Sequence, residues 1–173
     1  MNILYTIDNN YFPQVFVSIK SLLKYNENLL DIYIVTEDLK LENKKVLLGI
    51  ADVSNANIHF MRPPQIEKGL KVDRGSKSQY YRLFIDDIFR GIDIDKIVFL
   101  DADTMITSKN FFNIFELDMK GNTIGACIDP WGKKYRNLFN LNSDMNMFNS
   151  GVLLIDVNAW IKRDIADKMR SLI

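Results

Sequence analysis

The sequence predicts an α/β domain built on a largely parallel sheet with helices on both faces. Short apolar runs alternate with stretches whose apolar residues recur at helical spacing, the pattern of strand and helix in turn. One run, Ile97 to Leu100 in KIVFLDAD, is unbroken, rich in β-branched and aromatic residues, and suits a strand buried on both faces. Carboxylates follow three of the predicted strands: Asp8, Asp101 and Asp129. In open α/β sheets ligands bind beyond the carboxyl ends of strands, so these acids are expected to line a common anionic crevice.

Asn2 to Ile7 reads as the first strand and stops at Asp8-Asn9-Asn10. Tyr11, Phe12, Val15, Phe16, Ile19, Leu22 and Leu23 then follow at helical spacing. Asn9 or Asn10 can cap this helix, and Pro13 fits its first turn, where backbone N–H groups have no intrahelical partner. Asp8 to Asn10 carry two readings: plain capping, or an amide and a carboxylate reading a base edge or ribose hydroxyls. Asp31 to Thr36 is a second strand. Leu41 to Ile50 is a second helix, with Val46, Leu47 and Ile50 on one face. Asn57 to Met61 is a third strand, ended by Arg62-Pro63-Pro64. His59, the single histidine, stands in mid-strand with no partner visible in the sequence and reads as structural.

Gln65 to Ser76 is a polar loop with Gly69 and Gly75, long enough to close on a ligand. Ser76 or Ser78 can cap a helix from Gln79 to Phe89, whose Tyr80, Leu83, Phe84 and Ile88 form a core stripe. Arg82 points off that stripe, to solvent or to a bound ligand. After Asp103, Met105 to Thr107 extend the sheet and Asn110 to Phe115 form a short packed helix. Thr123 to Ile128 is a further strand, Pro130 to Met147 an irregular stretch, and Phe148 to Asp156 the last strand, with Asn149, Ser150 and Gly151 near its start. Val157 to Leu172 closes the chain as one helix with Trp160, Ile161, Ile165 and Met169 on one side. There is no repeat, linker or low-complexity segment.

A length of 173 residues, 47% hydrophobic and 25% charged, bounds the chain to one globular domain. The formal net charge is zero, which argues against nucleic acid or an anionic membrane surface as the main partner. The single cysteine, Cys127, cannot form an internal disulfide, and its small apolar neighbours predict a buried residue in a reducing compartment. No apolar run approaches the roughly 20 residues of a membrane span, so the expected location is the cytoplasm, with a membrane-peripheral position for a full-length form.

D-x-D spacing occurs twice, at Asp93 and Asp95 and at Asp101 and Asp103, about as often as chance gives in so Asp-rich a chain. Context separates the pairs. Asp93 and Asp95 fall in a polar turn, whereas Asp101 and Asp103 end the most strand-like segment. Carboxylates do not hold a phosphate unaided, but a divalent cation neutralises both and can stabilise a diphosphate leaving group. Oxygen-only ligands point to magnesium, manganese or calcium. Neither G-x-G-x-x-G nor a Walker-type GK[ST] segment is present.

MNILYTIDNNY, SQYYRLF, KIVFLDAD, IGACID and FNSGVLLIDVNAW, in this order, resemble family eight glycosyltransferases, the group of bacterial lipopolysaccharide galactosyl- and glucosyltransferases and glycogenin. The resemblance covers nearly the whole chain. It implies a GT-A type, Rossmann-like fold, a UDP-sugar donor, a saccharide or glycolipid acceptor, and Mn2+ (or Mg2+) held by Asp101 and Asp103, with retention of anomeric configuration. By position it implies that Thr6, Asp8, Asn10 and Tyr11 contact uridine and Arg82 the donor sugar. Asp101 would also approach the sugar, Ala102 would meet the ribose through its backbone, and Asp129 with Asn149, Ser150 and Gly151 would line the sugar pocket.

Family members continue into a second aspartate-rich segment and then a histidine, glycine and lysine-tryptophan stretch. Neither occurs here, so residues 1–173 are expected to be a donor-binding domain cut before the acceptor-side segments, weakly active or inactive alone. The catalytic groups are then expected beyond Ile173. Two other readings compete. A haloacid-dehalogenase type phosphohydrolase also uses D-x-D, but places it on the first strand with Thr or Val where Met105 stands. A non-catalytic nucleotide-sugar-binding or structural module would keep the fold without the chemistry.

Overall fold

The computed structural model describes residues 1–66, 76–142 and 144–172. Most of the predicted Gln65 to Ser76 loop, with Gly69 and Gly75, lies outside the described residues. The elements are β1 (Asn2–Thr6), α1 (Phe12–Tyr25), β2 (Leu30–Val35), α2 (Leu41–Asp52), β3 (Ala56–Met61), α3 (Ser78–Tyr81), α4 (Ile85–Ile88), β4 (Lys96–Leu100), β5 (Ile124–Ile128), β6 (Phe148–Asp156), α5 (Val157–Lys162) and α6 (Ile165–Leu172). Short 3-10 segments occupy Asn9–Tyr11, Lys109–Glu116 and Gly132–Phe139.

The strands form one six-stranded sheet in the order β3-β2-β1-β4-β6-β5. β1 pairs in parallel with β2 and β4, and β2 with β3, whereas β6 runs antiparallel to both β4 and β5. The sheet is therefore mixed and mostly parallel. Among the described strands β6 alone is reversed, so its start arrives at the edge where β1, β4 and β5 end.

Alternation along the strands divides the interior into two cores, because successive side chains point to opposite faces. Ile3, Tyr5, Ile32, Ile34, Val98, Leu100 and Leu154 face one core with Val15, Ile19 and Leu22 of α1 and Leu47 of α2. Leu4, Tyr33, Val35, Ile97, Phe99, Leu153 and Ile155 face the other with Tyr81, Ile85 and Ile88 of α3 and α4 and with Val157 and Trp160 of α5. Helices thus cover both faces, as the sequence predicts. Tyr5 carries its hydroxyl into the first core and spends it on Ser18 at 2.8 Å, and burial raises that phenol far above its ordinary range.

Several elements depart from the sequence reading. The helix expected from Gln79 to Phe89 is two single turns, α3 and α4, broken at Phe84, whose φ of −121° and ψ of 49° lie outside the helical region. The break lets Phe84 bury its ring while Arg82 turns toward the sheet edge. The closing helix also divides, at Asp164 with φ +52°, a left-handed position that Asp tolerates better than most residues. Ile161 is exposed and Trp160 buried, so these neighbours do not share one side of α5. Val46 of α2 faces solvent, and Leu47 alone of that pair is buried. Met105 to Thr107 do not join the sheet, and residues 109–116 form a 3-10 segment whose aromatic side chains pack on the first core. Cys127 is exposed: it sits at the register shift between Ala126 and Ile128 on β5, an edge strand whose last three residues are exposed among the described residues.

Candidate functional site

The turn after β1 is fixed by its own polar groups. Asp8 Oδ1 accepts from the Asn10 backbone N–H at 2.8 Å, so Asp8, not an asparagine, caps the first turn. Asn9 ties the turn to the loop before α2. Its N–H donates to Asp38 Oδ1 at 3.0 Å, and its Oδ1 accepts from Lys40 N at 3.1 Å and Asn43 Nδ2 at 3.0 Å. Asn10 is exposed. Tyr11 is left facing the space beyond the sheet edge.

β4 ends at Leu100, and Asp101, Ala102 and Asp103 form the turn that follows, closed by Thr104 N donating to Asp101 O at 3.0 Å. The Asp101 N–H donates to Gly151 O at 2.8 Å, which fastens the turn to the start of β6. There Asn149 Oδ1 accepts from Gly151 N at 2.8 Å. A Cβ on Gly151 would lie 3.0 Å from both Asp101 Oδ2 and Asn149 Oδ1, so glycine is what admits this close approach.

Arg82 crosses to this edge. Its Nη1 pairs with Asp101 Oδ1 at 3.0 Å and donates to Ser150 O at 2.9 Å, while Nε donates to Gln79 O at 3.0 Å. The guanidinium carbon stands 4.3 Å from the centroid of the Phe99 ring. The Arg82 side chain is only 17% exposed, against 39% for Asp101. Burial pushes the Asp101 carboxyl up, Arg82 draws it down, Asp103 adds to the rise, and the net displacement is upward.

Thr6, Tyr11, Arg82, Asp101, Ala102 and Asp103 line one cavity of about 250 Å³, together with Ser76, Ser78 and Gln79. Asp8 lines a neighbouring cavity of about 260 Å³ with Glu37, Asp38 and Tyr81, and Ser76 and Ser78 border both. Among the described residues the Thr6 hydroxyl is buried and has no hydrogen-bond partner. Asn149, Ser150 and Gly151 abut Asp101 and Arg82 from β6. Asp129 follows β5 on the same edge of the sheet, but its Oδ1 accepts from Trp131 N at 2.8 Å and it lines neither cavity. Among the described residues, the carboxylates lining this cavity are Asp101 and Asp103, and Asp8 lines its neighbour.

Sequence reasoning missed Gln79 as a wall residue and treated Ser76 and Ser78 only as caps. The signal for Gln79 was its place one helical turn before Arg82. His59 has no part in the cavities: it bonds Asp31 Oδ1 through Nε2 at 2.9 Å and stacks on Tyr33.

Among the described residues no group of three or more His, Cys, Asp or Glu could hold a metal ion. Two adjacent carboxylates nevertheless fit a hard cation of the magnesium or manganese kind, which commonly takes one or two protein carboxylates and completes its shell with water and substrate phosphate.

The family model for glycosyl transferase family 8 matches residues 2–173. Glycosyltransferase GlyF of Streptococcus pneumoniae serotype 4 is 30% identical over 176 residues, which cover 99% of this chain and 40% of GlyF. The lipopolysaccharide 1,2-glucosyltransferase of Escherichia coli K12 is 24% identical over 182 residues, covering 100% of this chain and 52% of that enzyme. This chain thus spans about half the length of the curated relatives it matches. Among solved structures, galactosyltransferase LgtC in complex with donor and acceptor sugar analogs superposes with a TM-score of 0.81 at 23% identity, over 99% of this chain and 63% of LgtC. The mixed sheet with its reversed β6 is accordingly a GT-A type fold, and the chain belongs to glycosyltransferase family 8.

Proposed function

We propose that residues 1–173 are the donor-binding domain of a retaining hexosyltransferase that moves a sugar from a UDP-sugar to a saccharide or glycolipid acceptor of the lipopolysaccharide type. The observation that carries this is the meeting of Asp101, Asp103 and Arg82 with Thr6, Tyr11 and Ala102 around one cavity at the ends of β1 and β4. The Escherichia coli relative, a lipopolysaccharide 1,2-glucosyltransferase, favours the lipopolysaccharide-type acceptor, and LgtC, solved with donor and acceptor sugar analogs, favours a sugar donor and acceptor on this fold.

In this reading Tyr11 offers a ring for the base to stack on, and Thr6 meets the nucleoside from the cavity wall. Asp8 accepts the uracil N–H from the adjoining cavity, and the exposed Asn10 contacts the uridine from the same turn. Ala102 presents backbone to the ribose. Asp101 and Asp103 hold Mn2+ or Mg2+, which when bound would neutralise the diphosphate as it leaves. Arg82, Asn149, Ser150 and Gly151 border the sugar beside Asp101, and Asp129 stands further along the same edge. No helix among the described residues is long and apolar enough to cross a membrane, in keeping with a cytoplasmic site of action at most peripheral to the membrane.

Calorimetry with UDP-sugars, with and without Mn2+, tests the reading. Cation-dependent binding supports it. Release of phosphate from monoesters would favour a hydrolase, and no heat with any donor would leave a structural module.

A further inference from the structure

The guanidinium of Arg82 stands 3.0 Å from Asp101 Oδ1, on one of the two carboxylates assigned above to the cation. It is held from three directions: by Gln79 O of α3, by Ser150 O of β6, and by Asp101 Oδ1 at the end of β4, with the Phe99 ring beneath it. A solvent-facing arginine would swing away from a dication. This one is largely buried and clamped, so its positive charge stays beside the carboxylate the cation needs.

Taking the cation site of the preceding section as given, we propose that Arg82 is an internal counter-cation that makes divalent-cation binding at Asp101 and Asp103 conditional on a nucleoside diphosphate. Asp101 is already half-neutralised by Arg82, and like charges a few ångströms apart in a partly desolvated site repel strongly, enough to weaken the cation alone by about tenfold. A diphosphate brings the negative charge that satisfies both. Cation and diphosphate then bind with positive coupling, and the coupling is reciprocal: whatever factor the diphosphate adds to cation affinity, the cation adds to diphosphate affinity. The site is thereby protected from filling with metal in the absence of donor.

The alternative is that Arg82 is only a strut joining α3, β4 and β6. Its replacement would then cost stability without altering the coupling. The two are separated by titrating the chain with Mn2+, alone and with saturating UDP, and following free Mn2+ by electron paramagnetic resonance in wild type, Arg82→Gln and Arg82→Lys.

The neutral Arg82→Gln variant is expected to bind Mn2+ alone about tenfold tighter than wild type, and the gain in Mn2+ affinity on adding UDP is expected to shrink by a similar factor. Arg82→Lys, which keeps the charge, should behave as wild type. If Arg82→Gln binds Mn2+ alone no tighter while wild type still takes up Mn2+ with UDP, or if Arg82→Lys tightens as much as Arg82→Gln, the counter-cation role is wrong and the cation site stands. If neither wild type nor variant takes up Mn2+ even with UDP, the cation reading fails and the inference fails with it. Should near-ultraviolet dichroism show Arg82→Gln unfolded, Arg82→Met, whose apolar stem keeps its seat over Phe99, takes its place with the same expected outcomes.

Discussion

Gly151 and Asp101 are packed so closely across the β4–β6 pair that a single added carbon on Gly151 would stand 3.0 Å from Asp101 Oδ2. Neither neighbour of that carbon is free to yield. Asp101 is tied by its N–H to Gly151 O and by Oδ1 to Arg82, and Asn149 Oδ1 is held by the Gly151 N–H. Gly151→Ala is therefore expected to turn the Asp101 carboxylate and weaken Mn2+–UDP binding about tenfold, since small displacements of positioned groups carry large penalties. Calorimetry beside a melting curve checks this; unchanged binding would mean that the carboxylate can shift without cost.

Asp101→Asn tests the charge of the same group without removing its shape. The amide oxygen still accepts from Arg82, so the β4–β6 junction is retained and thermal stability should change little. Cation-dependent donor binding should fall by about a hundredfold or more, the usual scale for losing a charged ligand that is also a hydrogen-bond acceptor. A variant that binds UDP-sugar with wild-type cation dependence would remove Asp101 from the metal site.

Asp8→Asn separates capping from recognition. Asparagine caps as well as aspartate, so the turn at Asn9–Tyr11 should survive, whereas Asp8→Ala should cost about 1 kcal/mol of stability. If Asp8 also accepts the uracil N–H, Asp8→Asn should still weaken UDP binding several-fold at unchanged melting temperature. Equal affinity for UDP in the two proteins would leave Asp8 as a cap alone.

Asp31 supplies a pH dependence far from the cavity. Burial raises its carboxyl, but hydrogen bonds from His59 and Asn57 and the nearby positive charges outweigh that, so the net displacement is downward. A carboxyl depressed in the folded state stabilises the fold above its unfolded pKa of about 3.9, and that contribution is lost as pH falls through the folded value. The group is partly exposed and screened, which limits the effect to about 0.5 kcal/mol. Urea unfolding of Asp31→Asn against wild type should show this difference near pH 6 and none near pH 2; a difference that persists in acid would place its origin elsewhere.

Much of the frame could be read from the chain. The near-continuous apolar runs in NILYT, DIYIV and KIVFL specify strands with two apolar faces, and both faces are filled by helices predicted from periodicity. The D-x-D pair at the end of β4 was legible for the same reason: an apolar run that ends in acids must leave the sheet there. Less legible were features that depend on what lies opposite. Cys127 looks like a core residue in IGACI, yet β5 is an edge and half of it is bare. Gln79 to Phe89 has the period of one helix, yet the demand to bury Phe84 and to carry Arg82 to Asp101 breaks it.

Local periodicity and the residues that end each run determined the strands, the helices and the acids beyond the strands, because hydrophobic patterning acts within a few residues. The reversal of β6 was decided only by the tertiary structure. That reversal sets Ser150 and Gly151 against Arg82 and Asp101, residues far away in sequence, while Asp129 caps its own turn. Strand direction depends on which neighbour a strand pairs with, and no short-range pattern of side chains carries that information.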